Sequence, residues 1–511
     1  MDGTIGETFG KRFVMRQAFN PQEMVDCLQR QINVKQEPMQ EQTFYWTLSD
    51  LAESVDGEWL SSLVADEEIY FDSISTDTRT LQPGALYIAL KGENFDGHNF
   101  VAEAVKQGAV AVLVSSEVAC PVPGVLVEDT RIALGKFAQW HRRQMPVKKL
   151  IAVTGSNGKT TTKSILLSLF SQIGRTLATE GNLNNDYGVP RTLLNLRPGH
   201  EYAIIEMGAN HPKEIEYLTL MAEPDIALLN NASGAHLEGF GSLQGVIETK
   251  GEIFLGLNRL HSPGTAVINT DSPGYEYWQA SLQDLGIKDV RRFGEALQAD
   301  VRLQNFSSAD GMIEFELVIG GQTHAVSMTV MGKHNAMNAA ACVAVGLAAG
   351  LNWEEIRPGL INFNGVSGRL QKTKIGQGWL IDDSYNANPE SVKAAIDTLA
   401  ALPGASVLCF GAMAELGETT RQAHEEVAAY AFQKGIKRLY VLGEAARVMP
   451  DIFGEGANWF ENHESMTEAV TADIHNQTLQ NVLVKGSRSA RMEKVVQGVL
   501  QSLDSVKNHN E

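Results

Sequence analysis

The chain is poor in cysteine and has no long apolar run. Its four cysteines among 511 residues, Cys27, Cys120, Cys342 and Cys409, are scattered, with no zinc-cluster or disulfide-framework spacing. Cys342 and Cys409 stand in apolar stretches and are expected in the core, and this usage fits a reducing cytosol. No stretch approaches the ~20 consecutive apolar residues of a membrane-spanning helix. The N-terminus lacks the charged-then-apolar order of a secretory signal. Basic residues are scarce as well: 42 Lys and Arg against 61 Asp and Glu leave a net charge of −19. That balance argues against a nucleic-acid partner, which usually meets a basic face. Small anionic ligands remain open, since they need only local cations. No repeat of fixed period is present.

What is there is a chain with 43% hydrophobic residues, ample for sizeable cores. At about 100–200 residues per domain, its length suggests roughly three domains. The most informative stretch runs Val153-Thr154-Gly155-Ser156-Asn157-Gly158-Lys159-Thr160-Thr161-Thr162. The apolar Leu150–Val153 before it reads as a buried strand, and Ile165, Leu166, Leu169 and Phe170 after it share one helix face. Strand, glycine turn and helix place free N–H groups and the positive end of a helix dipole at one point, where phosphate binds. Lys159 can reach the β- and γ-phosphates, and the Thr160 hydroxyl can ligate Mg²⁺. The loop is shorter than the generic phosphate loop, because Val153 stands where that pattern has its first glycine.

Residues 1–42 are polar and Gln-rich and are expected to form a poorly ordered extension. Residues 43–147 read as a small α/β unit: a capped helix start at Thr47–Ala52, a strand at Ala85–Leu90, a helix at Val101–Gln107 and a strand at Ala109–Val114. Ser75, Arg79, Lys91 and His98 lie near its element ends, and on periodicity alone the last three read as solvated loop residues. The central domain, 148–365, continues with the Asn-rich loop 179–190 and the strand Tyr202–Gly208. Glu206 ends that apolar strand, where a carboxylate is costly unless it holds a metal or a cation. A strand at Asp225–Leu229 leads to His236, and a helix after it carries Lys250. In a doubly wound sheet such strand ends share one crevice. A strand at Thr265–Asp271, antiparallel alternation over 300–330 and an apolar helix opening at Met331–Asn338 follow. Asn335 and Asn338 share a face there, and N-capping accounts for at most one of them. In residues 366–511, strands at Trp379–Asp383, Ser406–Gly411, Arg438–Gly443 and Asn481–Arg488 alternate with helices, so a second parallel sheet is expected.

Taken together these residues resemble the Mur ligase family, the ATP-dependent amide ligases of peptidoglycan assembly. The likeness runs from about residue 45 to 505 and rests on Gly155, Gly158, Lys159, Thr160, Glu206, His236, the Asn335-to-Asn338 spacing, Arg369 and Asp383. Gly181-Asn182-Leu183-Asn184-Asn185 and Asp382-Asp383-Ser384-Tyr385-Asn386-Ala387-Asn388-Pro389 resemble the member that adds D-alanyl-D-alanine. The resemblance implies an α/β protein of three domains: an N-terminal UDP-sugar-binding α/β domain, a central P-loop ATPase with a parallel sheet, and a C-terminal Rossmann-like domain. It implies ATP and Mg²⁺ as cofactors, and UDP-N-acetylmuramoyl-tripeptide and D-alanyl-D-alanine as substrates. A cytoplasmic monomer without nucleic-acid partner or membrane insertion is expected.

The resemblance also implies residue roles. Lys159, Glu206, His236 and Lys250 are the catalytic group, with Thr160 and Glu206 on one metal. His236 and Lys250, the lysine carbamylated, are expected on a second metal. ATP falls to Gly155, Ser156, Asn157, Gly158, Lys159, Thr160, Thr161, Asn335, Arg369 and Asp383. The UDP-peptide falls to Ser75, Arg79, Lys91, His98, Asn182 and Asn185, and the acceptor side to Tyr385, Asn386 and Asn388. A folate-polyglutamate type of ligase shares the phosphate loop, but Tyr385-Asn386-Ala387-Asn388 argues against it. A nucleotide-dependent scaffold is the alternative from another class, and Glu206, His236 and Lys250 beside the phosphate loop speak against it.

Overall fold

The computed structural model describes residues 44–60, 68–92, 95–234, 237–258 and 263–508. The expected extension, residues 1–42, lies outside them, as do Cys27 and His236.

Three main sheets organise the chain, each built from one stretch of sequence. The first has five strands, ordered Glu58–Trp59, Gly124–Leu126, Ala111–Val114, Leu86–Ile88 and Ile74–Ser75. All its neighbours pair parallel except the antiparallel Glu58–Trp59 edge. The expected Ala85–Leu90 strand is trimmed because the Leu90 carbonyl accepts from the Gly97 N–H instead of continuing the ladder. The helix Leu48–Val55 starts where its sequence says, with the Thr47 hydroxyl accepting from Asp50 N–H at 2.9 Å.

The second sheet has nine strands. From one edge they run Gln322–Met328, Met312–Ile319, Val301–Ala309, Val290–Gly294, Thr265–Asn269, Ile226–Leu229, Lys149–Thr154, Tyr202–Glu206 and Thr176–Ala178. Neighbours are parallel from Thr176–Ala178 as far as Val301–Ala309, and the two remaining pairs are antiparallel. The alternation at 300–330 thus yields a three-stranded patch, its first strand joined to the parallel sheet. Lys149–Thr154 lies between Tyr202–Glu206 and Ile226–Leu229, which the chain reaches by crossing over in opposite directions. A crevice opens at the carboxyl end of such a strand. Beneath it, Ile165, Leu166, Leu169 and Phe170 of the helix Lys159–Phe170 pack with Ala336–Val345 of the helix Lys333–Ala348 in one core. Each such large side chain contributes about 1.5–3 kcal/mol on burial. Cys342 and Cys409 are fully buried, as their apolar settings require.

The third sheet has six strands, ordered Gln371–Ile375, Gly378–Asp383, Asn481–Lys485, Ser406–Gly411, Arg438–Leu442 and Ala457–Phe460. Only the first pair is antiparallel. That edge touches the second sheet's hairpin: Lys372 Nζ donates to the Gly311 carbonyl, and a Cβ on Gly311 would lie 3.3 Å from Trp379.

The N-terminal and central units are tied by His141, which is fully buried on the helix Thr130–Gln144. Its Nδ1 accepts from Trp46 Nε1–H and its Nε2 faces the Leu196 carbonyl, both at 3.0 Å. The ring is therefore neutral, and burial pushes its pKa from 6.5 down to about 3. The unfolded chain binds a proton that the native ring refuses, so stability falls as the pH drops from 6.5 toward 3. Urea midpoints measured at pH 7 and pH 5 should differ more for the native chain than for His141→Gln; an equal difference would remove His141 from the acid response.

Candidate active site

The loop after the Lys149–Thr154 strand is held by asparagines. Asn231 Oδ1 accepts from the Asn157 N–H at 2.9 Å, while Asn230 and Asn231 Nδ2 both donate to the Asn157 carbonyl at 3.0 Å. Ser156 Oγ accepts from the Ser233 N–H at 2.9 Å. Gly158 takes φ +80°, and a Cβ there would sit 2.6 Å from both Asn230 Nδ2 and Asn338 Oδ1. The network continues upward: Asn230 Nδ2 donates to Asn338 Oδ1 at 2.9 Å, and Asn338 Nδ2 donates to Asn335 Oδ1 at 3.1 Å. Neither Asn335 nor Asn338 caps its helix, since Gly332 occupies that position. Both are wall residues of the cleft instead.

Lys159 folds back over the loop, donating to the Gly155 carbonyl at 2.6 Å and the Ser156 carbonyl at 3.3 Å. Burial lowers its pKa, Glu206 opposes that shift, and Arg369 adds to it. Glu206 is 1% exposed at the end of its strand. Its Oε1 accepts from Asn184 Nδ2 at 2.8 Å and from the Thr160 hydroxyl at 3.3 Å. Its Oε2 is buried without a hydrogen-bond partner, and Lys163 Nζ stands 3.8 Å away. An orphaned carboxylate oxygen beside a threonine hydroxyl at a phosphate loop is the donor set Mg²⁺ takes, so Thr160 and Glu206 fit that ion.

The C-terminal domain reaches into the same cleft. Arg369 donates to the Thr160 hydroxyl at 2.9 Å and lies 4.3 Å from the centroid of the Tyr385 ring. Asn388 Nδ2 donates to Asn157 Oδ1 at 2.8 Å while its Oδ1 accepts from the Ser391 N–H in a capping box. Asp383 is occupied: Lys485 Nζ lies 2.6 Å from its Oδ2, and the Leu370 N–H donates to its Oδ1. The cleft so formed encloses about 570 Å³. It gathers Ser156, Asn157, Gly158, Lys159, Thr160 and Thr161 with Asn182, Asn185, Glu206, Asn335, Arg369, Asp383, Tyr385, Asn386 and Asn388. Gly155 contributes through its carbonyl.

The remaining sequence-derived residues sit elsewhere. Ser75, Arg79, Lys91 and His98 are absent from the lining of this cleft. Arg79 is spread on Asp77, the backbone of Lys91 pairs with that of Asp96 in an isolated antiparallel bridge, and His98 is held between Asp96 and the Ser115 N–H. Lys250 is 1% exposed, with its Nζ 5.2 Å from the Phe240 ring centroid. Burial first, and then the charge of Lys159, pull its pKa from 10.5 down to about 7. Among the described residues no group of three His, Cys, Asp or Glu side chains could hold a metal.

Sequence reasoning passed over Lys163, Asn184, Asn230, Asn231 and Lys485. Two carried a signal. Lys163 falls one helical turn after Lys159, and Lys485 ends an apolar strand as Glu206 does.

A doubly wound ATPase core with a third domain folded over its phosphate loop defines a class of ligase, and the comparisons agree. Residues 153–346 match the Mur ligase middle domain, 368–488 the Mur ligase glutamate ligase domain, and 70–142 the Mur ligase family catalytic domain. The chain belongs to the Mur ligase family. Within it, the chain is 40% identical to the UDP-N-acetylmuramoyl-tripeptide–D-alanyl-D-alanine ligase of Escherichia coli K12, over 89% of this chain and 98% of that protein. The crystal structure of MurF from Acinetobacter baumannii superposes with a TM-score of 0.84 at 33% identity, covering 90% of this chain and 99% of that one. MurF from Thermotoga maritima in complex with ADP gives a TM-score of 0.76 at 27% identity, covering 85% and 98%.

A side chain at position 158 would meet two amides and force an unfavourable φ. Gly158→Ala is expected to cost about 1–3 kcal/mol of stability and to weaken ADP binding at least about tenfold. Calorimetry with ADP checks this; unaltered affinity would show that the loop tolerates a Cβ.

Proposed function

We propose that this cleft joins D-alanyl-D-alanine to the terminal carboxylate of a UDP-N-acetylmuramoyl-tripeptide at the expense of ATP. The chain is an ATP-dependent amide ligase of peptidoglycan precursor synthesis, by its likeness to relatives of that name over nearly their whole length. The observation that carries the reading to residues is one cleft in which Lys159, Thr160 and Glu206 of the ATPase meet Arg369 and Asn388 of the last domain.

A carboxylate repels nucleophiles and has no good leaving group. One of its oxygens therefore attacks the γ-phosphorus of ATP, the bond to the bridging oxygen breaks, and ADP leaves with the electron pair. The dipeptide amine then attacks the carbonyl carbon of the acyl phosphate. A tetrahedral intermediate forms, the nitrogen sheds its proton, and phosphate leaves with the C–O electron pair. Anions must approach one another throughout, so fixed cations govern the barrier. Lys159 and the loop N–H groups hold the β- and γ-phosphates, and Arg369 neutralises the γ-phosphoryl oxygens. Asn335 faces the adenine, and Asp383 the ribose. Thr160 and Glu206 would hold Mg²⁺, which would supply further charge neutralisation. Asn182 and Asn185 hold the peptide, Ser75, Arg79, Lys91 and His98 the UDP-sugar, and Tyr385, Asn386 and Asn388 the acceptor.

Lys250, as its carbamate, and His236 would hold a second metal, which would neutralise charge at the acyl carboxylate. The buried Lys250 amine, with a pKa near 7, supports this, because a neutral nitrogen attacks CO₂ and releases a proton as the N–C bond forms. Domain boundaries at 147/148 and 365/366 are supported by the three sheets, each of which draws its strands from one side of them. The same reading makes the protein a cytoplasmic monomer.

Phosphate release should require both the UDP-tripeptide and the dipeptide, run with lysine and diaminopimelate forms of the former. Lys159→Ala should abolish it while leaving the far-UV spectrum native. Release that ignores either substrate, or survives the substitution, would refute the assignment. Lys250→Ala should lose most activity and regain part of it with added bicarbonate or a small carboxylic acid. A variant as active as the native chain would dismiss the carbamate.

A further inference from the structure

Beside the nucleotide cleft lies a second recess of about 760 Å³, which shares Asn386, Ala387 and Asn388 with it. Ala414, Glu415 and Leu416 wall one side, following the Ser406–Gly411 strand. Residues of the turn after the last strand, Ser487 to Lys494, wall the other. Both walls are carboxyl ends of parallel strands, where open α/β sheets bind ligands. The recess is cationic, with Arg488, Arg491 and Lys494 against Glu415 and Glu493.

Its frame is fixed. Ser487 is 3% exposed and its hydroxyl donates to the Ala412 carbonyl at 2.6 Å. Glu415 and Arg491 hold φ +61° and +50°, a strained region for residues with side chains. Arg488 Nη1 lies 3.2 Å from Glu493 Oε1. That contact engages one corner of a planar group with five N–H donors and orients the rest.

We propose that Arg488 receives the C-terminal carboxylate of the acceptor dipeptide, with Glu493 orienting the guanidinium. This rests on the ligase reading above and deepens its acceptor site. The acceptor amine has to reach the phosphate loop, and Asn388, on the border between the two spaces, already touches Asn157 there. An extended dipeptide spans about 7 Å. With its amine at the border, its carboxylate lies one residue further on, inside the second recess. A single D-alanine, one residue shorter, reaches about half as far. Ala387 and Ala414 leave room for methyl side chains along the way. A carboxylate matches the arginine fork with two parallel hydrogen bonds, which an uncharged amide cannot form.

The test compares D-alanyl-D-alanine with D-alanyl-D-alaninamide at saturating ATP and UDP-tripeptide, for the native chain, Arg488→Met and Arg488→Lys. The native chain should prefer the acid by about 50-fold in kcat/KM. Arg488→Met should erase the preference by raising KM for the acid, with kcat/KM for the amide and KM for ATP held within about twofold. Arg488→Lys should keep part of the preference. Equal losses with acid and amide would mark Arg488 as structural and overturn the proposal, as would an undiminished preference for the acid. A native chain that releases no phosphate with either dipeptide would overturn the ligase reading as well.

Discussion

Side-chain amides hold the phosphate loop in its open form, and the chemistry of the cleft depends on that. The N–H groups of Ser156 and Asn157 are already taken by Asn231, and the Asn157 carbonyl needs donors from outside the loop. Asn230 and Asn231 answer this by donating to the Asn157 carbonyl from the neighbouring strand end, and Asn338 anchors Asn230 from a third element. Amides are suited to the task because each carries donors and an acceptor and no charge. Charged residues in their place would have met the phosphates directly. The cations are placed around this neutral seat. Lys159, Lys163 and Arg369 converge near the buried carboxylate of Glu206, in a chain whose overall charge is strongly negative. The contrast suits a site that must draw in anions while the rest of the surface repels them.

Much of this was legible in the sequence, and the reasons differ from element to element. The Lys149–Thr154 strand and the helix after it announce themselves because burial on both faces demands a continuous apolar run followed by a clean helical stripe. The capped start at Leu48 was readable from Thr47 alone. Short or mixed strands were not. Thr176–Ala178 is three residues long, and Gln371–Ile375 is an edge strand rich in exposed polar side chains. The local pattern around Asn335 and Asn338 suggested a cap for one of them; Asn335 does bond locally to the Met331 carbonyl, but the bond from Asn230 to Asn338 crosses 108 positions and no local pattern contains it. The same limit applies to Asn388. Its capping of the following helix is written in Asn388-Pro389-Glu390-Ser391, but its bond to Asn157 crosses 231 positions of sequence. Ser75, Arg79, Lys91 and His98 came from resemblance and not from pattern, and the cleft does not recruit them.

Among the described residues, the contacts between the last domain and the ATPase include two separated places, besides Met331, which packs into the last domain's core. One is the set of contacts over the phosphate loop, through Arg369 and Asn388. The other is at the far edge, where Lys372 and Trp379 rest on the hairpin tip at Gly311. The backbone enters the last domain through Gly365 and Gly368, both in the left-handed region at φ +89° and +70°. A domain turning as a rigid body about that short stretch must drag Trp379 across the hairpin tip in the same movement that lifts Asn388 from Asn157. The hairpin tip is thus a contact that such a turn has to break, apart from those over the phosphate loop.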